Sequence, residues 1–194
     1  MINPVITYFE KFLDLKQEEK DYIETNIPVR FYKKNDYLLK EGEVSSSFFF
    51  IVEGLIRMFY LVDGMEKTTF FYQNEDFVSA YESFTRQIPS RNYLQAIEDT
   101  QVAVFNTDTV ADIIQNHPRF EMLSRIIMEE ELIVYQNMIA SFITMNAEQR
   151  YAELLKTNAQ LLNRIPQYHI ATYLGVSPET LSRIRRRIKS KKTS

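Results

Sequence analysis

The sequence predicts an α+β protein: an N-terminal β-roll or jelly roll, then a long helix, then a C-terminal helix-turn-helix. Three observations carry this reading. Short aromatic and β-branched runs crowd the first 105 residues, which hold twelve of the 14 Phe and eight of the 12 Tyr. A 16-residue run without charge, Leu132–Ala147, sits inside a stretch of helical periodicity. Near the end, Gly175-Val176-Ser177-Pro178 separates two short amphipathic segments. A chain of 194 residues with 45% hydrophobic and 25% charged residues is an ordinary globular composition, with room for one large domain or two small ones.

The elements follow in order. Residues 3–25 read as helical. Asn3-Pro4 resembles an N-cap followed by Pro at the first helical position, Val5, Tyr8, Phe9 and Phe12 share a face, and a second short helix is expected over Gln17–Thr25. Strands are expected at Phe48–Glu53, Leu55–Val62, Glu66–Tyr72, Tyr93–Glu98 and Gln101–Asn106. Asp63-Gly64 is a hairpin signal, because a type I′ turn needs positive φ at both central residues. Glu53-Gly54 marks another reversal. Thr107-Asp108-Thr109 is positioned to cap a helix over Val110–Asn116, which His117-Pro118 ends.

A long helix then runs from Arg119 to about Asn146. Leu123, Ile127, Val134, Met138, Phe142 and Met145 form one stripe, and Ile126, Ile133 and Ile139 a second. A helix apolar most of the way round is buried on more than one side, so one face can pack on the β domain while the other needs a partner. Ile126, Ile127, Ile133, Val134, Met138 and Phe142 are therefore the candidate dimerisation residues, and the partner is a second copy of the chain. The uncharged run is too short and too polar to span a bilayer, and Met1-Ile2-Asn3-Pro4 lacks a basic segment leading into an apolar core. A cytoplasmic protein with no membrane partner is the expectation.

Several chemistries are excluded by composition. The chain has no cysteine, which removes disulfides, thiolate metal sites and cysteine nucleophiles. With only His117 and His169, no multi-histidine metal centre is expected, and neither a metal nor another cofactor is read from the sequence. No spacing suggests paired catalytic carboxylates, so an enzyme is not expected. The net charge of −3 hides an asymmetry: from Arg150 onward there are ten basic and two acidic residues, a net +8, which leaves −11 for the first 149. A basic tail on an acidic body suits a polyanion-binding module.

That module has a sharp pattern. Ile170, Ala171 and Leu174 give one short helix its inner face, Gly175 stands where positive φ is needed, and Val176 plugs the angle. Ser177 is a good N-cap, Pro178 suits the first helical position, and Leu181, Ile184 and Ile188 give the second helix its buried side. Its outer face carries Glu179, Ser182, Arg183, Arg186 and Arg187. Such a helix fits the major groove of double-stranded DNA, where Arg pairs bidentately with guanine and Glu accepts from cytosine. Glu179, Ser182, Arg183 and Arg186 are the candidate base-reading residues. Gln167, Ser177, Thr180, Arg187 and Lys189 are the candidates for phosphate contacts.

A β-roll, a long helix and a C-terminal helix-turn-helix, in that order, resemble the cyclic-AMP receptor / fumarate-nitrate regulator (Crp/Fnr) family of transcription factors. The resemblance is sharpest over Leu174–Ile188 and extends to Gly42-Glu43, Phe49–Ile51 and Gly54 in the roll. It implies a cyclic-nucleotide-binding-like sensor domain over 1–118, a dimerisation helix over 119–146 and a DNA-binding domain over 147–194. It implies a homodimer on a palindromic site, with RNA polymerase as a further partner. Glu179 and Arg183 match the family's base-reading Glu and second Arg, and Ser177 and Thr180 match its phosphate-contacting positions. Pro178 replaces the first base-reading Arg, so a different half-site is expected. The family's β-hairpin wing is not expected after the recognition helix, where Lys189, Lys191 and Lys192 are expected to supply phosphate contacts instead.

The effector pocket departs as well. Ser79-Ala80 stand where the family's nucleotide cassette has Gly-Glu, and Ser90-Arg91 reverse its Arg-Ser. A nucleotide would lose two charge-assisted anchors there, so binding of cyclic AMP in the family's usual way is not expected and the effector is unknown. Phe49, Phe59, Phe70 and Phe71 are enough to plug the roll. The competing reading is a ligand-binding sensor or protein-interaction module with a degenerate helix-turn-helix.

Overall fold

The computed structural model describes residues 2–193. Two short helices lead the chain, α1 (Pro4–Phe9) and α2 (Gln17–Asn26). The Asn3 side chain accepts the Val5 N–H at 3.1 Å, and Pro4 takes the first helical position, where no N–H partner is needed. At the start of α2 the Glu19 side chain reaches back to the chain, its Oε2 accepting the Lys16 N–H at 2.7 Å. Glu19 is buried, and the Arg119 guanidinium lies 3.5 Å away as its counter-charge.

Eight strands follow: β1 (Val29–Tyr32), β2 (Tyr37–Leu39), β3 (Ser47–Glu53), β4 (Leu55–Val62), β5 (Met65–Gln73), β6 (Phe77–Val78), then helix α3 (Tyr81–Arg86), β7 (Tyr93–Ala96) and β8 (Thr100–Asn106). They form two four-stranded sheets, ordered β1-β8-β3-β6 and β2-β7-β4-β5. The expected hairpin between β4 and β5 turns at Asp63 and Gly64, with φ of 52° and 75°. Register decides which face each side chain takes. Phe49 pairs with Val104 and Ile51 with Val102, and these share a core with Leu39, Ile56, Met58, Leu94 and Val78. Phe48 and Phe105, also paired, stack at 4.6 Å on the opposite face. That face is covered by Val5, Phe9, Ile23 and Ile27 of the N-terminal segment, and by Ile113, Phe120 and Leu123.

Those last residues belong to α4 (Thr107–Asn116) and α5 (Arg119–Thr144). α4 begins earlier than its sequence suggests. Asn106 is the cap, its Oδ1 accepting the Thr109 N–H at 2.8 Å, so Thr107–Thr109 become the first helical turn. His117 is the C-cap, its N–H bonded to the Ile113 carbonyl. Then come α6 (Ala147–Thr157), α7 (Ala159–Arg164), α8 (Gln167–Leu174) and α9 (Pro178–Thr193). α6 and α7 are separated at Asn158, whose φ of −143° and ψ of 46° are not helical.

The chain forms two compact units: residues up to Tyr60 with Phe70–Glu129, and Leu61–Thr69 with the residues from Glu130 on. Among the described residues no helix is long and apolar enough to cross a membrane, and no cluster of three His, Asp or Glu side chains could hold a metal ion.

Candidate nucleic-acid interface

α8 and α9 form a helix-turn-helix. α8 ends at Gly175, whose φ of 69° and ψ of 31° are left-handed. The Gly175 N–H reaches the Thr172 carbonyl at 3.2 Å and the Val176 N–H the Ala171 carbonyl at 3.0 Å, which satisfies carbonyls that the helix leaves free. Two residues later Ser177 restarts the helix, its Oγ accepting the Thr180 N–H at 3.2 Å. Ile170, Ala171, Leu174, Leu181 and Ile184 are buried, and Ile188 is half-buried. The angle between the helices is therefore held by a core, not by the turn alone.

With Leu181 and Ile184 turned inward, the spacing of α9 turns Glu179, Ser182, Arg183, Arg186 and Arg187 outward, and all five are exposed. The N-cap also organises this face. Ser177 Oγ lies 3.3 Å from Thr180 Oγ1, which accepts Arg183 Nη2 at 3.0 Å, so the first turn holds the guanidinium in a short chain of hydroxyls. The Ser177 hydroxyl, foremost, holds the Glu179 carboxyl below the usual carboxylate range, with help from its own backbone N–H and from Arg183. Gln167 and Lys189 are exposed, while Thr180 is half-buried. Arg187 pairs with Glu148 of α6 at 3.4 Å. The helical path continues past Ile188 to Thr193; the side chains of Lys191 and Lys192 lie outside the described residues.

Sequence reasoning missed the support beneath this module. Arg150 on α6 donates from Nη1 to the Met145 carbonyl and from Nη2 to the Leu174 carbonyl, each at 2.7 Å, and its guanidinium carbon lies 4.4 Å from the centre of the Phe142 ring. The Thr172 hydroxyl donates to the His169 carbonyl at 3.0 Å and lies 2.8 Å from the Thr68 hydroxyl. In the sequence Arg150 registers only as one more positive charge. The available signal was its place four residues after Asn146, which caps α6 through the Gln149 N–H.

On α5, Ile133, Val134 and Phe142 are exposed in the single chain, and Ile126 and Met138 are half-buried. Ile127 packs against the core beneath α1 and α2. Leu132, Ile139 and Ile143 are also uncovered, on another side of the helix.

The four cassette residues are dispersed in character. Ser79 is half-buried, Ala80 is buried as the residue before α3, and Arg91 is exposed. Ser90 is buried, and its Oγ donates toward the Asn92 carbonyl at 2.9 Å and Oδ1 at 2.8 Å while accepting the Asn92 N–H at 3.1 Å. Nearby, Ser83 Oγ accepts the Ser45 N–H at 2.9 Å and donates to the Ile88 carbonyl at 2.6 Å. Of the four aromatics able to plug the roll, Phe49 lies in the inter-sheet core and Phe70 packs against it. Phe59 does not: β alternation turns it from Met58 to the other face, where it stacks on Tyr93 at 4.7 Å and under the buried Arg57 guanidinium at 3.9 Å.

Comparison with known proteins agrees with this architecture. Residues 29–117 match the cyclic nucleotide-binding domain family. The chain is 27% identical over 183 residues to the anaerobic regulatory protein of Aggregatibacter actinomycetemcomitans, a match covering 88% of this chain and 70% of that one. It is 24% identical to the transcriptional activator protein anr of Pseudomonas aeruginosa, covering 89% and 75%. Among solved structures, FixK2 of Bradyrhizobium japonicum superposes with a TM-score of 0.73 at 18% identity, covering 85% of each chain. A putative regulator of the crp/fnr family from Eubacterium rectale superposes with a TM-score of 0.74 at 18% identity, covering 95% and 88%.

Proposed function

We propose, from the premise that this chain belongs to the Crp/Fnr family of transcription regulators, that it is a homodimer reading a palindromic duplex site through α9. The observation that carries this is the division of α9 into two faces. Leu181 and Ile184 are sealed against α8, while an ordered row of Glu179, Ser182, Arg183 and Arg186 faces outward from a capped N-terminus. The early turns of such a helix meet base edges, and Gln167, Ser177, Thr180, Arg187 and Lys189 meet phosphates. For Arg187 this means exchanging Glu148 for a phosphate.

The exposed Ile133, Val134 and Phe142, with the half-buried Ile126 and Met138, supply the dimer face. A second copy on it sets two recognition helices about 34 Å apart, one turn of DNA. The β-roll takes no cyclic nucleotide in the family's usual way: Ala80 offers no carboxylate for a ribose, and Ser90 spends its hydroxyl on Asn92. RNA polymerase is the further partner.

Selection of random duplex DNA by the purified protein, without added ligand and at about physiological ionic strength, tests the reading. An enriched palindrome is the expected result. Weak, salt-sensitive and sequence-blind binding would instead favour a sensor or protein-contact module with a degenerate helix-turn-helix.

A further inference from the structure

We propose that Arg150 is the positioning residue that fixes the helix-turn-helix on the end of the long helix, and so sets the half-site spacing the dimer accepts. The inference rests on the DNA-binding reading above.

The argument begins with unsatisfied carbonyls. A helix leaves its last four C=O groups without intrahelical partners, and its C-terminus carries partial negative charge. α5 ends at Thr144, and the Met145 carbonyl follows directly. α8 ends at Leu174, whose carbonyl lies at the turn before α9. Arg150 donates to both, each at 2.7 Å, from the two terminal nitrogens of one planar group. Its guanidinium carbon sits 4.4 Å from the centre of the Phe142 ring, a cation–π contact that adds a third hold on the group. One rigid fork on α6 therefore ties the end of α5 to the end of α8.

Nothing else about the fork is free to slide. Arg150 stands one turn into α6, whose start is fixed by reciprocal bonds between Asn146 and Gln149. α8 carries α9 with it, because Ile170, Ala171, Leu174, Leu181 and Ile184 are buried. Holding the Leu174 carbonyl against the Met145 carbonyl thus holds the reading face of α9 against the α5 axis. α9 has 16 residues, about 24 Å of helix. A swing of roughly 8° about the clamp moves its far end by about 3.4 Å, one base-pair step. A lysine has the charge but not the planar fork, so it cannot hold the two carbonyls in one fixed geometry.

The test uses the full-length protein and its Arg150→Met and Arg150→Lys variants. The first measurement is binding to duplexes carrying two half-sites at stepped separations. Wild type should prefer one spacing over its neighbours by about tenfold or more, the scale of one lost base contact per half-site. Arg150→Met should flatten that preference, and Arg150→Lys should fall between, with affinity for an isolated half-site unchanged in both. A folded, dimeric Arg150→Met protein with wild-type spacing preference overturns the proposal.

The second measurement needs no DNA. Because the chain has no cysteine, Ala140→Cys and Arg185→Cys introduce two unique, exposed attachment points for spin labels on α5 and α9. Labelled chains diluted with unlabelled protein report the distance within one chain. A narrow distribution that broadens in Arg150→Met supports the clamp, and identical distributions overturn it. If wild type shows no sequence preference at all, the DNA-binding reading fails, while the distance measurement still decides the clamp.

Discussion

Replacing Arg183 by alanine separates base reading from charge. Arg183 is exposed, and its described bond is a 3.0 Å contact to Thr180 Oγ1 on its own helix. Arg and Ala are both good helix formers, so the folded protein should change by no more than about 0.5 kcal/mol. On DNA the stake is larger. A bidentate Arg–guanine pair is worth about 1–3 kcal/mol of discrimination, and a homodimer carries it twice, so a full palindrome should lose about 2–6 kcal/mol. Arg186 stands one turn on, about 4.5 Å along the axis, close to a single base-pair step, so the two should read neighbouring positions. The assay is competitive binding against duplexes altered one base pair at a time. Arg183→Ala should lose preference at one position per half-site and keep the others. Arg183→Lys should keep the salt dependence yet lose the same preference, since an ammonium cannot make the fork. An equal loss on every duplex would show Arg183 to be a phosphate contact and refute the reasoning.

Further outcomes are expected at the dimer face and in the β-roll. Ile133→Asp places a charge on a side chain 49% exposed in the single chain, so folding should survive by circular dichroism. Each Ile face contributes about 1.5–3 kcal/mol and occurs twice in a symmetric interface, so sedimentation should show a dimer constant at least about a hundredfold weaker. Gly54→Ala should cost about 2–5 kcal/mol in urea titration, because φ is 122° and the new Cβ would lie 2.7 Å from Thr100 Cα. Gly64→Ala, with φ of 75° and open space around it, should cost only about 1–2 kcal/mol; equal losses would show that close approach does not matter at Gly54.

Asp76→Asn should change the pH dependence of stability. Burial foremost, then Glu75, pushes the Asp76 carboxyl up, against the bond from the Gln73 N–H at 2.8 Å. A carboxyl with its folded value raised is fully accommodated below its unfolded value of about 3.9, and stability falls as pH rises through the folded one. The amide stays neutral and still accepts from Gln73. The variant should match wild type near pH 3 and exceed it at neutral pH, and a variant less stable at neutral pH would overturn this account.

The elements legible in the sequence are those whose signal is local. Asp63-Gly64 demands positive φ at both residues, and the structure shows it. Leu55–Val62 reads as a strand at its true limits because its residues are β-formers between two turn glycines. The helix-turn-helix announces itself through Gly175, Ser177 and the inward Leu181 and Ile184. β1, β2 and β6 carry no such signal. They have four, three and two residues, and β1 is mostly exposed, so its strand character comes from pairing with β8.

The candidate site divides the same way. The outward row on α9 follows from helical spacing once the buried face is known, so Glu179, Ser182, Arg183 and Arg186 could be named in advance. The fate of Phe59 could not: alternation puts it on the Arg57 side of β4, but which side of β4 meets the inter-sheet core is decided only when the sheets pack. By itself the sequence determined the order of modules, their turns and caps, and the charge of the reading face, because these depend on residues within a helical turn or a hairpin of one another. The tertiary structure alone decided what Arg150 does. Its partners lie five residues back at Met145 and 24 residues ahead at Leu174. A contact between two helix ends exists only once the chain has folded them together.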